Sequence, residues 1–181
     1  MKKMDLIRRL SELERHGVFV LAKRDIEKLF PDENEKSMEK SLQRMVRDGI
    51  LVRVAKGMYV DAGVAARNRG WLIEEIAKAL RPGKLCYVSL ESMLAEFGVI
   101  SQIPVSHITI MTTGASGLHE TPYGTIEFTH TKRSMATILD RTLHVKGRPL
   151  RIAKKHAAYR DLVRVGRNVN LVDLEELEAD E

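Results

Sequence analysis

The stretch KSMEKSLQRMVRDGILVRVAKGMY, residues 36–59, changes its pattern halfway along. Its first half spaces apolar residues as an amphipathic helix does, and Gly49 is well suited to end that helix. Its second half alternates apolar and polar residues on both sides of AKG, residues 55–57, as the strands of a β-hairpin do. We therefore predict a helix followed directly by a hairpin.

Two shorter helices are predicted before this stretch. The periodicity of residues 4–15 places Leu6, Leu10 and Leu13 on one face. A short extended piece and a second helix over residues 22–30 follow, and a proline ends that helix. Three helices and a hairpin in this order are typical of a winged helix-turn-helix domain.

The domain boundaries follow from changes of pattern along the chain. We expect a winged-helix DNA-binding domain at 1–62, a connecting helix at 63–82 and a mixed α/β domain at 83–181. The connecting helix is predicted as one helix over residues 64–80. In the last domain short strands and helices alternate, and a hairpin turning at KG, residues 146–147, precedes a final helix over 154–165. The expected fold class is α+β.

The composition is that of an ordinary globular protein. Of 181 residues, 44% are apolar and 30% are charged, and no apolar run approaches the length of a membrane span. The lone Cys86 cannot form an internal disulfide, and the N-terminus has no signal-peptide pattern, so we expect a cytoplasmic protein without membrane contact. The formal net charge of +5 by itself is weak support for a polyanionic partner.

The cations are concentrated in two regions of the chain. Residues 1–60 hold 14 Lys/Arg against 10 Asp/Glu, and residues 132–167 hold 11 Lys/Arg against 2 Asp. Residues 171–181 hold six acids and no base. This acidic tail could fold back on the second basic region and screen it.

The helix predicted over residues 36–47 has one basic face. At about 100° per residue its four cations fall within an arc of roughly 80°, opposite an apolar face. They span about 16 Å of helix axis, enough to follow a phosphate backbone or to lie in a major groove. The candidate DNA-binding residues, with the last at the tip of the wing, are Lys36, Ser37, Lys40, Ser41, Arg44, Arg47, Arg53 and Lys56.

Two other interpretations of this basic face stay open. Charged outer faces are common on surface helices, and Glu35, Glu39 and Asp48 could simply pair with the cations. A winged helix can also contact protein instead of DNA.

Four segments resemble the AbiEi-type antitoxins of type IV toxin–antitoxin systems. They are GVFVLAKRDIEKLF, SLQRMVRDGILVRVAKGMYV, CYVSLESMLAEFGVI and ITIMTTGASGLHETPYGTIEFTH, and the resemblance covers residues 10–131. The last two segments are the more specific, because many transcription factors share the winged-helix pattern.

The resemblance implies an autorepressor that binds inverted repeats of double-stranded DNA in its own operator. It would be a monomer or weak dimer, with two copies on the DNA. The second domain would counteract a nucleotidyltransferase-like toxin, directly or functionally. The alternative is a winged-helix regulator without a toxin, whose second domain dimerises or senses a ligand. The DNA-reading role would fall on Ser37, Lys40, Ser41, Arg44 and Arg47, with Lys56 at the wing.

The second basic region is a candidate surface with three open interpretations. It is a solvated face, a second DNA contact, or a surface that opposes an acidic toxin face or competes for the toxin's nucleotide or RNA substrate. Its residues are Lys146, Arg148, Arg151, Lys154, Lys155, Arg160 and Arg164.

No enzyme motif in the sequence is complete. GASG around Ser116 is one residue short of the G-x-S-x-G nucleophile elbow, and neither glycine-rich phosphate-binding motif occurs. His119, Glu120 and His130 could approach one another across a hairpin, but the histidines lack the close pairing of metal sites. We therefore expect no catalytic residue, no metal and no cofactor, and no enzyme.

Overall fold

The protein is known from a computed structural model that describes residues 1–67, 70–101 and 106–179. It is an α+β chain, as the sequence predicts, and it divides into two compact units, Met1–Leu80 and Arg81–Glu181. Among the helices that these residues form, none combines the length and the apolar character needed to cross a bilayer.

The first unit joins short helices to a small sheet. Its strands are antiparallel in the order β1-β3-β2. The described elements are α1 (Lys3–Arg15), β1 (Val20–Ala22), α2 (Lys23–Leu29), α3 (Glu35–Arg47), β2 (Leu51–Ala55), β3 (Met58–Asp61), α4 (Ala62–Arg67) and α5 (Leu72–Leu80).

The core of the first unit is shared by α1, α2, α3 and the sheet. Each apolar side chain that is fully buried in this core contributes about 1.5–3 kcal/mol to the free energy of unfolding. Because the apolar side of α3 is committed to this core, its opposite side faces solvent. The buried residues are Leu6, Leu10, Leu21, Ile26, Met38, Leu42, Met45, Leu51 and Tyr59.

The second unit is built on one mixed sheet. Its strand order is β6-β7-β5-β4-β9-β8, with β4–β9 and β5–β7 as parallel pairs. The elements are β4 (Cys86–Val88), α6 (Leu90–Glu96), β5 (His107–Thr112), β6 (Gly117–Thr121), β7 (Gly124–His130), α7 (Met135–Arg141), β8 (Thr142–Leu143), β9 (Arg151–Ala153), α8 (Lys155–Val165), a 3-10 helix (Val169–Leu171) and α9 (Leu174–Glu178).

Two elements differ from the sequence prediction. The single helix predicted over residues 64–80 is wrong, because α4 ends at Arg67 and α5 begins at Leu72. Gly70 lies between them, and glycine inside a helix costs about 1 kcal/mol relative to alanine. The predicted last hairpin is present as the antiparallel pair β8 and β9, but residues 144–150 connect the strands instead of a tight turn.

Candidate nucleic-acid interface

The exposed side of α3 carries polar side chains on successive helical turns. They are Lys36, Lys40, Gln43 and Arg47, all exposed to solvent, and we call them the basic row. Residues three or four apart lie on one face of a helix, so the four side chains form a continuous line. The helix begins at a true cap, because the Asn34 side chain accepts a hydrogen bond of 2.9 Å from the backbone N–H of Ser37.

The acids at the start of α3 are held by a lysine of α2, not by the basic row. Lys23 Nζ lies 2.9 Å from a carboxylate oxygen of Glu39 and 3.4 Å from one of Glu35. The hydrogen bond to Glu39 is the main cause that raises the pKa of Lys23 above its ordinary value. Within the described ranges Lys36 and Lys40 form no ion pair, so their charges face solvent uncompensated.

The far end of the basic row is only loosely paired. Arg47 Nε and Lys3 Nζ each lie 3.7 Å from an oxygen of Asp48. Exposed pairs of this kind are worth about 0–1 kcal/mol, so the Arg47 guanidinium can exchange this partner for a phosphate at little cost.

The hairpin of β2 and β3 is joined to α3 through the same lysine. Ala55 pairs with Met58, so Lys56 and Gly57 form the tip, where Gly57 has a φ of 70°. The backbone N–H of Lys23 donates a hydrogen bond of 2.8 Å to the Gly57 carbonyl oxygen. Lys23 therefore links the hairpin tip by its backbone and α3 by its side chain, a role that sequence reasoning missed because its partners are distant along the chain.

Some members of the predicted DNA-binding set are engaged inside the protein. Ser41 is only 6% exposed, on the buried side of α3, so it offers little surface for a contact with DNA. The Ser37 hydroxyl donates to Glu33. Arg44 and Arg53 stay exposed, but Arg44 Nη2 donates to the Met1 carbonyl at 3.1 Å and Arg53 Nε to the Ala55 carbonyl at 3.4 Å.

Two arginines of the second basic region bind the protein itself. Arg148 is 6% exposed, and its guanidinium donates to both carboxylate oxygens of Glu96, at 2.6 and 3.1 Å. Arg151 donates from Nε and Nη2 to the hydroxyl and the carbonyl of Thr142, at 2.7 and 3.0 Å. Burial and the ion pair with Glu96 remove Arg148 from the predicted surface, whereas Arg151 is half-buried and uses its Nε and Nη2 within the protein.

The other cations of this region lie around α8. Lys146, Lys154, Arg160 and Arg164 are exposed. Lys155 instead donates to backbone carbonyls of the acidic tail, at 3.3 Å for Glu176. The described part of the acidic tail, which includes α9, therefore lies against the start of α8. Residues 180–181 lie outside the described residues.

The glycine-rich segment GASG, residues 114–117, packs around an arginine. The Arg81 guanidinium lies 4.0 Å from the ring centroid of Phe128, and its Nε donates to the Ala115 carbonyl at 3.0 Å. A Cβ on Gly114 would lie 3.1 Å from Arg81 Cδ, closer than ordinary contact. The Ser116 hydroxyl accepts a hydrogen bond of 2.9 Å from the His130 backbone N–H. This segment therefore has a structural explanation without a nucleophile.

The histidines considered for a metal have separate partners. His119 Nε2 lies 3.2 Å from Arg81 Nη2, and burial, followed by the charge of Arg81, lowers the pKa of His119. His130 Nδ1 lies 2.7 Å from the Gly114 carbonyl oxygen. In the part of the chain that the structure describes, no three His, Cys, Asp or Glu side chains are arranged to hold a metal ion.

A buried carboxylate joins α8 to the sheet of the second unit. One oxygen of Asp161 lies 2.8 Å from Arg133 Nη1 and 2.9 Å from Arg141 Nη2. The other accepts hydrogen bonds from the hydroxyls of Ser89 and Tyr87, at 2.8 and 3.1 Å. Burial, more than the nearby carboxylate, raises the pKa of Tyr87. Sequence reasoning missed this cluster, because its members are spread between β4 and α8.

Comparison with known proteins identifies the family of the chain. It is an α+β protein of two units with a basic row on α3. Residues 8–164 match the family described as "Family of unknown function (DUF6088)", and the chain belongs to it. No curated protein matches.

Among solved structures, the chain is similar to the one described as "Crystal structure of RV2827C protein from Mycobacterium tuberculosis". The identity is 16% and the TM-score 0.48, over 98% of this chain and 71% of that chain. Neither the family description nor this title states an activity, so a function has to be argued from the residues of the chain itself.

Proposed function

We propose that the protein is a DNA-binding transcriptional autorepressor and an antitoxin of AbiEi type. It acts in the cytoplasm, without a cofactor and not as an enzyme. The observation that carries the DNA-binding part is the basic row of α3, whose lysines face solvent while Lys23 occupies the acids of the same helix.

The element order of the first unit supports a winged helix. α2 and α3 are joined by a short turn, as in a helix-turn-helix, and the β2–β3 hairpin follows α3 directly. In this class the second of the two helices enters the major groove, and the wing contacts the adjacent backbone. α3 would therefore be the recognition helix and Lys56 the wing contact.

The chemistry of the basic row suits both parts of DNA recognition. Lys36, Lys40 and Arg47 can bind phosphates, and an arginine can also bind guanine through two hydrogen bonds. Gln43 lies among them and can pair with the edge of adenine in the same way. Two copies on inverted repeats would place two such helices in successive major grooves.

The antitoxin part rests on the resemblance of the second unit. The segments CYVSLESMLAEFGVI and ITIMTTGASGLHETPYGTIEFTH carry it, and their residues build β4, α6 and the strands β5 to β7. We propose that this unit opposes a nucleotidyltransferase-like toxin, directly or functionally.

The alternative is a winged-helix regulator whose second unit dimerises. Apolar side chains exposed in and after α7 favour a protein contact there: Met135 (62%), Leu139 (44%), Leu143 (43%) and Val145 (40%). A protein contact at this place fits both the antitoxin and the regulator without a toxin, so a co-expression experiment is needed to distinguish the two functions. A nucleotidyltransferase-like protein encoded beside this one should arrest growth alone and not with this chain; a chain that dimerises but never relieves arrest supports the alternative.

The DNA-binding part is tested by titrating the protein onto its own upstream DNA and onto a scrambled duplex. We expect tighter binding to the upstream duplex. Lys40→Ala/Arg47→Ala should weaken it at least tenfold, because two charge-assisted contacts of the recognition helix are lost. Fluorescence anisotropy with labelled duplexes measures both affinities.

A matched control removes the same charge from another helix. Arg8→Ala/Arg15→Ala changes two exposed arginines of α1 and should leave the preference for the upstream duplex intact. Equal weakening by both double variants, or no preference of the wild type for its upstream duplex, would contradict the assignment of α3 as the recognition helix.

A further inference from the structure

An open groove of about 470 Å³ lies between the start of α8 and the acidic tail. Its lining includes Lys154, Lys155, His156 and Arg160 of the α8 region, Glu178 of the tail and Leu143 of β8. Three of the lining side chains are cationic, and one acid of the tail lines the same groove.

The cations of the groove continue along α8. Arg160 and Arg164 are exposed and one helical turn apart, and Lys154 lies directly before the helix. Across the described residues none of these three forms an ion pair. They face solvent over about 15 Å of the helix axis, at a rise of 1.5 Å per residue, with Arg160 and Arg164 on one face and Lys154 at the start of the helix.

The helix α9 is attached to this region by a few specific contacts. Leu177 is 2% exposed and anchors the helix, and the Asp173 side chain caps its first turn by accepting from Glu175 N at 2.9 Å. Lys155 Nζ donates to the carbonyl oxygens of Glu176 and Ala179, at the C-terminal end of α9. A lysine here also compensates the negative end of the helix dipole.

We propose that α9 is an acidic strap over a second nucleic-acid contact, and that a DNA phosphate backbone displaces it. The groove and the α8 cations would then bind phosphates of the DNA in addition to those that α3 contacts. The favoured occupant is a polyanion, because the described charged groups exposed on α8 are cationic and the strap places the Glu178 carboxylate in the same groove. Release exposes Leu177, and the phosphate contacts of the α8 cations would offset that cost.

This inference goes beyond the proposed function, because it concerns DNA contact outside the first unit. The test neutralises the strap without removing its anchor or its cap. Glu175→Gln/Glu176→Gln/Glu178→Gln keeps Leu177 and Asp173, so the fold of the unit should survive, which circular dichroism checks. Binding is measured on a scrambled duplex in the Lys40→Ala/Arg47→Ala background, so the result does not depend on operator recognition by α3.

The variant with the neutralised strap should bind the duplex about tenfold more tightly at low salt than the background variant does. The slope of log K against log salt should steepen by about 1.8, which corresponds to two more phosphates. Adding Lys154→Ala/Arg160→Ala should abolish both changes. The matched control Glu12→Gln/Glu120→Gln/Asp140→Asn raises the formal charge equally, at exposed acids away from the groove, and should have a clearly smaller effect.

Equal effects of the strap variant and the matched control would overturn the proposal, because the gain would then be one of net charge. Unchanged duplex binding together with tighter binding of a poly-glutamate peptide would also overturn it and assign the groove to an acidic protein. Loss of operator preference in the wild type is a different result, which concerns α3 alone.

Discussion

Asp161 is a side chain on which several polar contacts of the second unit converge. Its carboxylate is completely buried and receives two guanidinium groups and two hydroxyls. Removing one partner of a buried ion pair leaves the other charge uncompensated, which costs far more than the pair gains. We therefore regard Asp161 as a structural residue that holds α8 against β4.

Asp161→Asn should lower the free energy of unfolding by about 3 kcal/mol, because Arg133 and Arg141 lose their buried counter-charge. Urea denaturation followed by circular dichroism measures the loss. Hydrogen exchange should localise it to β4 and α8. The control is Asp140→Asn, which removes an exposed carboxylate of α7 and should change the free energy of unfolding by less than about 0.5 kcal/mol. Similar losses in both variants would mean that the buried cluster has no special role.

In the hairpin of β2 and β3, two adjacent residues have different roles: one carries an exposed charge and the other adopts the backbone conformation that the turn requires. Lys56 is exposed at the tip, whereas Gly57 has a φ of 70° and contributes the carbonyl that Lys23 binds. A residue with a Cβ in this left-handed conformation costs roughly 1 kcal/mol. One position therefore tests DNA contact and the other tests the fold.

Lys56→Ala should reduce the salt slope of DNA binding by about 0.9 and leave the melting temperature unchanged, because it removes one phosphate contact. Gly57→Ala should lower the melting temperature, because its backbone is strained. Anisotropy titrations and thermal denaturation of both variants give the comparison. An unchanged slope for Lys56→Ala would show that the hairpin does not contact DNA.

For the whole molecule, the two basic regions differ in whether an acidic segment lies beside their exposed cations. In the first unit Lys36, Lys40, Arg47 and Lys56 face solvent. In the second unit Lys146, Lys154, Arg160 and Arg164 are also exposed, but the acidic helix α9 lies against α8. Wild-type binding to DNA should therefore be governed mainly by the first unit.

Four phosphate contacts predict a slope of log K against log salt of about −3.6. The affinity should then fall about a hundredfold between roughly 50 and 200 mM salt. Titrations of the wild type at several salt concentrations measure this slope. A slope near zero would contradict phosphate contact, and a slope about twice as steep would mean that α9 does not restrain the second region.

The secondary structure near the quoted stretch could be predicted because its signals are local. The apolar spacing of α3, the glycine after it and the alternation of the hairpin all lie within a few residues of one another. The break between α4 and α5 was missed because apolar periodicity continues across it. The long connection between β8 and β9 was missed because a lysine-glycine pair by itself resembles a tight turn.

The sequence by itself determined the α+β class, the apolar and basic faces of α3, and the segregation of acids in the tail, because composition and periodicity depend only on neighbouring residues. Only the tertiary structure decided which charged side chains are paired within the protein and which are free to bind a partner. Lys23 meets Glu39, Arg148 meets Glu96, and Asp161 is buried among arginines. These partners are far apart in the chain, and their pairing depends on how helices and strands pack, which a periodic pattern does not encode.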